Sequence, residues 1–316
     1  MLLVIFGHMI EPLIGKHTLL NDIYNLIYLF HIPAFVFISG YLSGRVLNVN
    51  FDSLIKSLVI PLVLFSVIYE LPELIINNGI SGYLRVLTPN WILWFLVSLL
   101  FWRLLTPLVI KFRFALIISV LLSILASLTN VDGYTYGVFR TIVLFPFYIL
   151  GVMLSSRREF IQKINIKYSW SIISLIALSL IPLIDLPFNR YFLYCVAPFS
   201  ASGYDNESGA LYRMAYYPIS FFAIVLFSIS MSNMRFLANI GRNSLHVYLW
   251  HGLIVKYYLW SEITKLSPST LGAISISIFI SLSLGYFLSS KYVAGLTNKI
   301  TNIVLKILIK REFNSL

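Results

Sequence analysis

The chain has 316 residues, of which 59% are hydrophobic, 16% are aromatic and only 11% are charged. Soluble domains carry about 25% charged residues, and repeated apolar runs of about 20 residues are typical of membrane-spanning helices. The composition therefore excludes a soluble domain and predicts an all-α polytopic membrane protein. In so apolar a chain, the net charge of +11 favours basic residues that set topology against membrane lipids, and we expect no nucleic-acid partner.

Apolar runs between turn and charge signals predict about ten transmembrane helices. The first is short, because about 15 residues rise only about 22 Å, whereas the hydrocarbon core is about 30 Å thick. We therefore expect this first helix to be truncated at its N-terminus. The predicted spans lie near residues 1–15, 24–44, 54–75, 91–110, 114–129, 138–155, 169–187, 213–231, 242–260 and 269–290.

The first span, MLLVIFGHMIEPLIG, contains the ionisable residues His8 and Glu11. An ionisable side chain at membrane depth costs about 2.5–3.5 kcal/mol, so it usually pairs, lines a cavity or takes part in chemistry. At a spacing of i, i+3 the two side chains share one helix face and can touch. A carboxylate that contacts an imidazole fixes its tautomer, as a general base requires, so we predict catalytic roles for both residues.

Three histidines are predicted to share one layer of the membrane. At 1.5 Å per residue, His8 and His31 lie about 10 Å and His251 about 13 Å below the outer surface. The short connection between the first two spans makes them antiparallel neighbours, so His31 is expected near His8. His251 taken alone would more often be an interhelical hydrogen-bonding residue. Because the three histidines come from separate spans without ligand spacing, we predict no metal site.

The distribution of Lys and Arg predicts the orientation. Fifteen of them lie in inner segments and six in outer segments if the first span ends outside, which places both termini in the cytoplasm. Residues 291–316 are expected to form a cytoplasmic basic amphipathic tail on the inner leaflet. The longest outer loop, residues 188–212, contains aromatic residues and the run Asp205–Asn206–Glu207, which suit a polar ligand, although loops are polar by default.

Five segments in order carry a family resemblance: GHMIEP, FHIPAFVFISGYL, NWILWFLVSLLFWRL, RTIVLFPFYILG and IGRNSLHVYLWHGLIV. From residue 1 to about 290 the chain resembles the membrane acyltransferase-3 family, and most closely its branch of fucose 4-O-acetylases and related polysaccharide O-acetyltransferases. The resemblance implies a membrane acyltransferase domain over residues 1–290. It also implies that an acetyl group moves from cytoplasmic acetyl-CoA to a hydroxyl of an extracytoplasmic or cell-surface glycan, in a multi-pass protein of the bacterial plasma membrane.

The same resemblance implies roles for individual residues. The essential first-helix histidine of the family matches His8, and its F-H-x-P histidine and sixth-helix arginine match His31 and Arg140. The family usually has an Arg or Lys eleven residues before the first-helix histidine, a position that falls before Met1. We therefore expect that the natural chain starts earlier or that this protein is a truncated member.

An O-acetyltransferase mechanism gives the candidate residues their roles. His8, oriented by Glu11, would remove the hydroxyl proton, and His31 or Arg140 would stabilise the oxyanion. Basic residues at the inner face would bind the coenzyme A phosphates, and two of them suit topology anchors equally well. The candidates for phosphate binding are Arg45 and Arg242 at span ends, with Arg157 and Arg158 as the alternative anchors. Trp94 and His251 are the candidates for substrate binding, and Trp94 also suits an interfacial anchor.

A second hypothesis is a transporter or flippase for polysaccharide or lipid-linked glycan, without acyl transfer, because intramembrane His and Glu also occur in proton relays. Beyond Glu11, however, the acidic residues mostly lie in loops or near span ends, with Glu70 and Glu73 near the outer end of the third span. This distribution favours chemistry over a proton path. A purely structural membrane protein would explain neither the shared histidine depth nor the motif series.

The orientation can be tested by cysteine-accessibility labelling. We expect residues 188–212 to be labelled from outside and residues 157–167 only from inside, because the positive-inside rule sets the termini in the cytoplasm. Labelling with the opposite sidedness would overturn the depth assignment of the histidines.

Overall fold

The computed structural model describes residues 1–44, 49–76, 78–86, 88–130, 135–266 and 268–308. No β-strand occurs among them, so the all-α prediction is confirmed. The longer helices are α1 (Leu2–Ile10, continued by the 3₁₀ turn Glu11–Leu13), α2 (Thr18–Ser43), α3 (Phe51–Ile76), α4 (Trp91–Val109), α5 (Ala115–Ser127), α6 (Val138–Ser155), α7 (Tyr168–Leu183), α8 (Asn206–Met231), α9 (Ser244–Ile254, then the π turn Val255–Leu259, then Trp260–Leu266), α10 (Thr270–Leu288) and α11 (Lys291–Leu308). Short helices cover Gly82–Arg85, Arg158–Lys163, Arg190–Leu193 and Ala238–Arg242.

By the length and apolar composition of the helices, fewer qualify as membrane spans than the ten that the sequence predicts. In the described ranges, six helices are long and apolar enough to cross a membrane, namely α2, α3, α4, α6, α8 and α10. Helices α1, α5 and α7 are apolar but shorter, and α9 is not among the six; π turns occur in both α3 (Ile55–Val59) and α9 (Val255–Leu259). The membrane character is therefore supported, while the count of ten is not established.

The chain forms two compact units that alternate along the sequence. The first consists of Met1–Asn21, Asn50–Val97 and Phe236–Leu316, and the second of Asp22–Val49 and Ser98–Arg235. Among the candidate residues, the first unit contains His8, Glu11 and His251, together with Trp94 and Arg242. The second contains His31 and Arg140.

In the first unit, α1 packs closely against α10. A Cβ at Gly285 would lie 2.4 Å from Cδ2 of Leu2, so glycine makes room for the apolar side chain. The indole N–H of Trp250 donates to Thr297 Oγ1 at 2.9 Å and joins α9 to the C-terminal α11. The first of these contacts packs α1, which contains His8, against α10, and the second ties α9 to α11.

In the second unit, α2 and α6 approach each other at two glycines. A Cβ at Gly40 would lie 2.1 Å from the carbonyl oxygen of Tyr148, and one at Gly151 would lie 2.1 Å from that of Phe37. Helices in a membrane associate through such small residues because lipid supplies no hydrophobic drive between them. From α8, the Ser220 hydroxyl donates to the Leu29 carbonyl at 2.6 Å and adds a polar link to α2.

The close approach at Gly151 gives a stability prediction. A Cβ there would meet Phe37 O at 2.1 Å and Tyr41 N at 2.8 Å, both backbone atoms that cannot rotate away. We expect Gly151→Ala to destabilise the protein by about 1–3 kcal/mol through overpacking. The apparent melting temperature of the purified protein in detergent measures the effect.

Gly295 in α11 provides the matched control. No described atom lies within 4 Å of a Cβ built there, so Gly295→Ala is expected to be neutral or slightly stabilising in a helix. Equal melting temperatures for the two variants would contradict the close packing of α2 and α6.

Candidate functional site

The site begins with the His8–Glu11 pair at the end of α1. His8 Nδ1 and Glu11 Oε2 are 3.0 Å apart, which confirms the contact predicted from their spacing. Because a carboxylate only accepts hydrogen bonds, Nδ1 donates the proton and Nε2 keeps its lone pair. The side chains are 13% and 28% exposed, and no described residue hydrogen-bonds His8 Nε2. The pair therefore presents an oriented imidazole whose Nε2 lone pair can accept a proton.

His251 lies beside His8 in the same unit. Its ring centroid is 5.8 Å from that of His8, and the two planes are inclined by 25°. The Nδ1 atom donates to the carbonyls of Val247 and Tyr248, at 3.0 and 2.8 Å, so its tautomer leaves the lone pair on Nε2. His251 is fully buried, and its Nε2 has no hydrogen-bond partner among the described residues. Its Nε2 atom is therefore a hydrogen-bond acceptor, and not a donor, next to His8.

Two tryptophans complete the surroundings of His8. The ring of Trp91 lies 4.6 Å from the His8 ring at 54°, and Trp260 meets Trp91 edge-on at 5.2 Å. The Trp94 ring, which sequence analysis selected for substrate binding, meets the Phe95 ring edge-on at 5.9 Å, and its role stays a prediction. Trp91, at the start of the same helix, lies against His8.

Trp260 is linked to His8 through a carbonyl that Pro12 leaves free. In a continuing α-helix, the N–H of residue 12 would donate to the carbonyl of residue 8, but proline has no N–H. The Trp260 indole N–H donates to His8 O at 2.7 Å instead. The sequence thus contained a signal, a proline four residues after the histidine, that the His8 carbonyl needs a donor from elsewhere.

A π turn explains why Trp260 escaped the sequence analysis. Residues nine apart, such as His251 and Trp260, lie about 180° apart on an ideal α-helix. The π turn Val255–Leu259 takes up about one extra residue, which reduces the angle to about 80°. Both side chains can then reach the same histidine from one helix, and π turns of this kind are frequent at functional sites.

Trp91 has an unusual backbone. Its φ is +33°, in the left-handed region that a bulky side chain rarely adopts. Such a conformation costs about 1–3 kcal/mol and persists only where the surroundings impose it, often at active sites. The strain therefore marks Trp91 as a residue held in place for the sake of its position.

The remaining predicted catalytic residues lie in the second unit. His31 is buried, donates from Nδ1 to the Ile27 carbonyl at 2.7 Å and meets the Tyr28 ring edge-on at 4.5 Å. Arg140 is part-buried near the start of α6. Since His8 belongs to the other unit, the predicted approach of His31 to His8 stays a prediction.

The predicted phosphate-binding arginines are spread over both units. Arg242 is exposed at the end of the short helix Ala238–Arg242 in the first unit. In the second, Arg157 is exposed, and the guanidinium of Arg158 lies 5.5 Å from the centre of the Tyr41 ring. Arg45 lies outside the described residues.

Within the acidic run of the loop 188–212, Asp205 has a structural role. Asp205 is the N-cap of α8 and accepts hydrogen bonds from the backbone N–H groups of Ser208 and Glu207, at 2.8 and 3.0 Å. The hydrogen bonds from the Ser208 backbone and hydroxyl hold the pKa of Asp205 below its ordinary value. Capping accounts for this carboxylate without a ligand.

Two known proteins, both named nodulation protein NolL, are similar to the chain. That of Sinorhizobium fredii is 28% identical over 181 residues, which are 50% of this chain and 46% of that protein. That of Mesorhizobium japonicum is 25% identical over 334 aligned positions, 93% of this chain and 87% of that protein. The chain thus spans about half of the first relative, and no solved structure matches it significantly.

A protein-family model described as "Acyltransferase domain" matches residues 1–290, which include every described residue of the His8 site. The match covers most of the chain and agrees with the five motifs in their order. The chain therefore belongs to the acyltransferase-3 family and is an acyltransferase.

Proposed function

We propose that this acyltransferase transfers an acetyl group from cytoplasmic acetyl-CoA to a hydroxyl group of an extracytoplasmic or cell-surface glycan. The observation that carries the proposal is the 3.0 Å contact between His8 Nδ1 and Glu11 Oε2, which leaves Nε2 ready to accept a proton. The motif series supports the choice of acetyl group and glycan, because it is most similar to the polysaccharide O-acetyltransferase branch. Similarity to two nodulation proteins is compatible with this choice.

The chemistry follows from the weak acidity of the acceptor. A sugar hydroxyl is a poor nucleophile near neutral pH and needs a base as it attacks. His8 Nε2 takes the hydroxyl proton while the hydroxyl oxygen bonds to the thioester carbonyl carbon. The carbon–sulfur bond then breaks, and the imidazolium returns the proton to the coenzyme A sulfur. Glu11 stabilises the imidazolium through its hydrogen bond to Nδ1.

The two substrates would approach from opposite sides of the membrane. Arg242 in the first unit is an exposed cation that suits the phosphates of coenzyme A. The roles of His31 and Arg140 in oxyanion stabilisation, and of Arg157 and Arg158 in donor binding, stay predictions. The flippase hypothesis has no specific observation in its favour, since the family is one of enzymes.

The acetyl transfer itself is tested on the glycan. Mass spectrometry of the surface glycan from cells with and without the gene should show a loss of one acetyl group per acceptor unit when the gene is deleted. Restoration by the reintroduced gene is the control. A glycan of unchanged mass would contradict the proposed acceptor, and a loss of a different acyl group would contradict the proposed donor.

The role of the base is tested in the same complemented cells. We expect His8→Ala to reduce acetylation by about 10²–10⁴-fold, the usual contribution of a general base. Glu11→Gln should cost less, because glutamine still accepts a hydrogen bond from Nδ1 but lacks the charge that stabilises the imidazolium. The measurement is the initial rate of glycan acetylation, normalised to the amount of protein in the membrane.

His246 provides the matched control for this prediction. It is a half-buried histidine of the same unit and the same helix as His251, and it is not one of the ring neighbours of His8, which are Trp91 and His251. His246→Ala should keep near-normal activity. Normal acetylation by His8→Ala, or an equal loss in His246→Ala, would contradict the assignment of the base.

A further inference from the structure

A buried carboxylate accepts hydrogen bonds from the loop that precedes Trp91. Glu70, in α3, is only 8% exposed and accepts three hydrogen bonds. They come from the backbone N–H of Ser81 at 3.0 Å, the Ser81 hydroxyl at 2.5 Å and the side-chain amide of Asn90 at 3.1 Å. Ser81 and Asn90 are themselves buried. We call Glu70, Ser81 and Asn90 the Glu70 clamp.

The Glu70 clamp holds two points of the segment between α3 and α4, at Ser81 and at Asn90. Ser81 precedes the short helix Gly82–Arg85 and caps it, since its hydroxyl accepts from Leu84 N–H. Asn90 is the residue directly before Trp91, and its carbonyl accepts from Leu93 N–H at 2.8 Å as α4 begins. Because both the side chain and the carbonyl of Asn90 are hydrogen-bonded, its backbone has little freedom. This restricts the φ that the next residue, Trp91, can adopt.

The imposed conformation has a definite consequence for His8. Trp91 takes its φ of +33° directly after Asn90, and in this conformation its ring lies 4.6 Å from the His8 ring. A relaxed tryptophan backbone would send the indole elsewhere. The imidazole then has Trp91 and His251 as ring neighbours and Glu11 on Nδ1, which leaves Nε2 for substrate.

We propose that Glu70 is a positioning residue for the reaction: through Asn90 it holds Trp91 in its left-handed conformation against His8 and so fixes the orientation of the proton-accepting imidazole. In its consequence for catalysis this inference rests on the proposed function. The geometric part, that Glu70 holds the Trp91 ring against the His8 ring, does not depend on acetyl transfer.

Glu73, three residues further along α3, is not a neutral comparison. It forms an ion pair with Lys256 at 3.7 Å and accepts from the Tyr257 hydroxyl at 3.0 Å, and both partners belong to the π turn of α9 that brings Trp260 to His8. Asp52, an acidic residue in the first turn of the same helix and 18 residues before Glu70, is the matched control.

The experiment measures the reactivity of His8 directly. Full-length protein in detergent is treated with diethylpyrocarbonate, which acylates neutral imidazole nitrogen, and the labelling rates of the His8 and His17 peptides are followed by mass spectrometry. In Glu70→Gln one acceptor oxygen becomes an amide donor, so the three donors of the clamp cannot all be satisfied. We expect His8 to be labelled several-fold faster, because Trp91 is released, with His17 unchanged.

Two comparisons separate positioning from a general loosening of the fold. Trp91→Ala should raise the His8 labelling rate to the same extent, and the double variant with Glu70→Gln should label no faster than Trp91→Ala alone. Asp52→Asn should label His8 at the wild-type rate. If Glu70→Gln does not fold, Ser81→Ala removes one hydrogen bond of the clamp and should give a smaller increase.

The activity readout follows in the complemented cells. A misplaced catalytic group can cost up to about 10²-fold in rate, so Glu70→Gln should lower acetylation while Asp52→Asn retains it. Unchanged His8 labelling in Glu70→Gln, or additive effects in the double variant, would overturn the proposal. Because labelling needs no acyl acceptor, failure of the acetylation assay in the wild type would count against the proposed function alone.

Discussion

The absence of water in the hydrocarbon layer is the constraint on which the structure depends. A polar group in that layer must find its partner inside the protein, or its desolvation remains uncompensated. His8 meets this requirement at Nδ1 through Glu11, and His251 meets it at Nδ1 through two carbonyls of its own helix, whereas His251 Nε2 has no partner among the described residues. Buried Glu70 meets it with three donors from the segment that follows α3. The network of partners therefore decides where each loop and ring can lie.

In the second unit, aromatic rings are the neighbours of a buried cation. Arg213 is fully buried, and its guanidinium carbon lies 3.9 Å from the centre of the Phe192 ring, with Tyr216 at 5.5 Å. An aromatic face attracts a cation through its quadrupole, an attraction that gains strength when water is absent. Aromatic residues thus serve two purposes in this protein: they surround a cation in the second unit and an imidazole in the first.

Irregular backbone gives the His8 site its geometry. Pro12 ends α1 and frees the His8 carbonyl, the π turn of α9 rotates Trp260 towards that carbonyl, and Trp91 adopts a left-handed φ. Each departure from regular helix is accompanied by a hydrogen bond or a ring contact at His8. A bundle of ideal helices could supply the imidazole and the carboxylate, but not the two indoles that surround them.

The sequence by itself determined the class of the protein and the local part of the site. Composition specifies a membrane protein, since 11% charged residues cannot cover a soluble surface, and the i, i+3 spacing places Glu11 on His8 because helix geometry is local. Tertiary structure alone decided the rest. Trp91 and Trp260 are distant from His8 in the chain, and their approach depends on a strained φ and a π turn, neither of which has a period that can be read from sequence. Helical periodicity reports which residues share a face, whereas packing between helices and satisfaction of buried polar groups select the residues that finally meet.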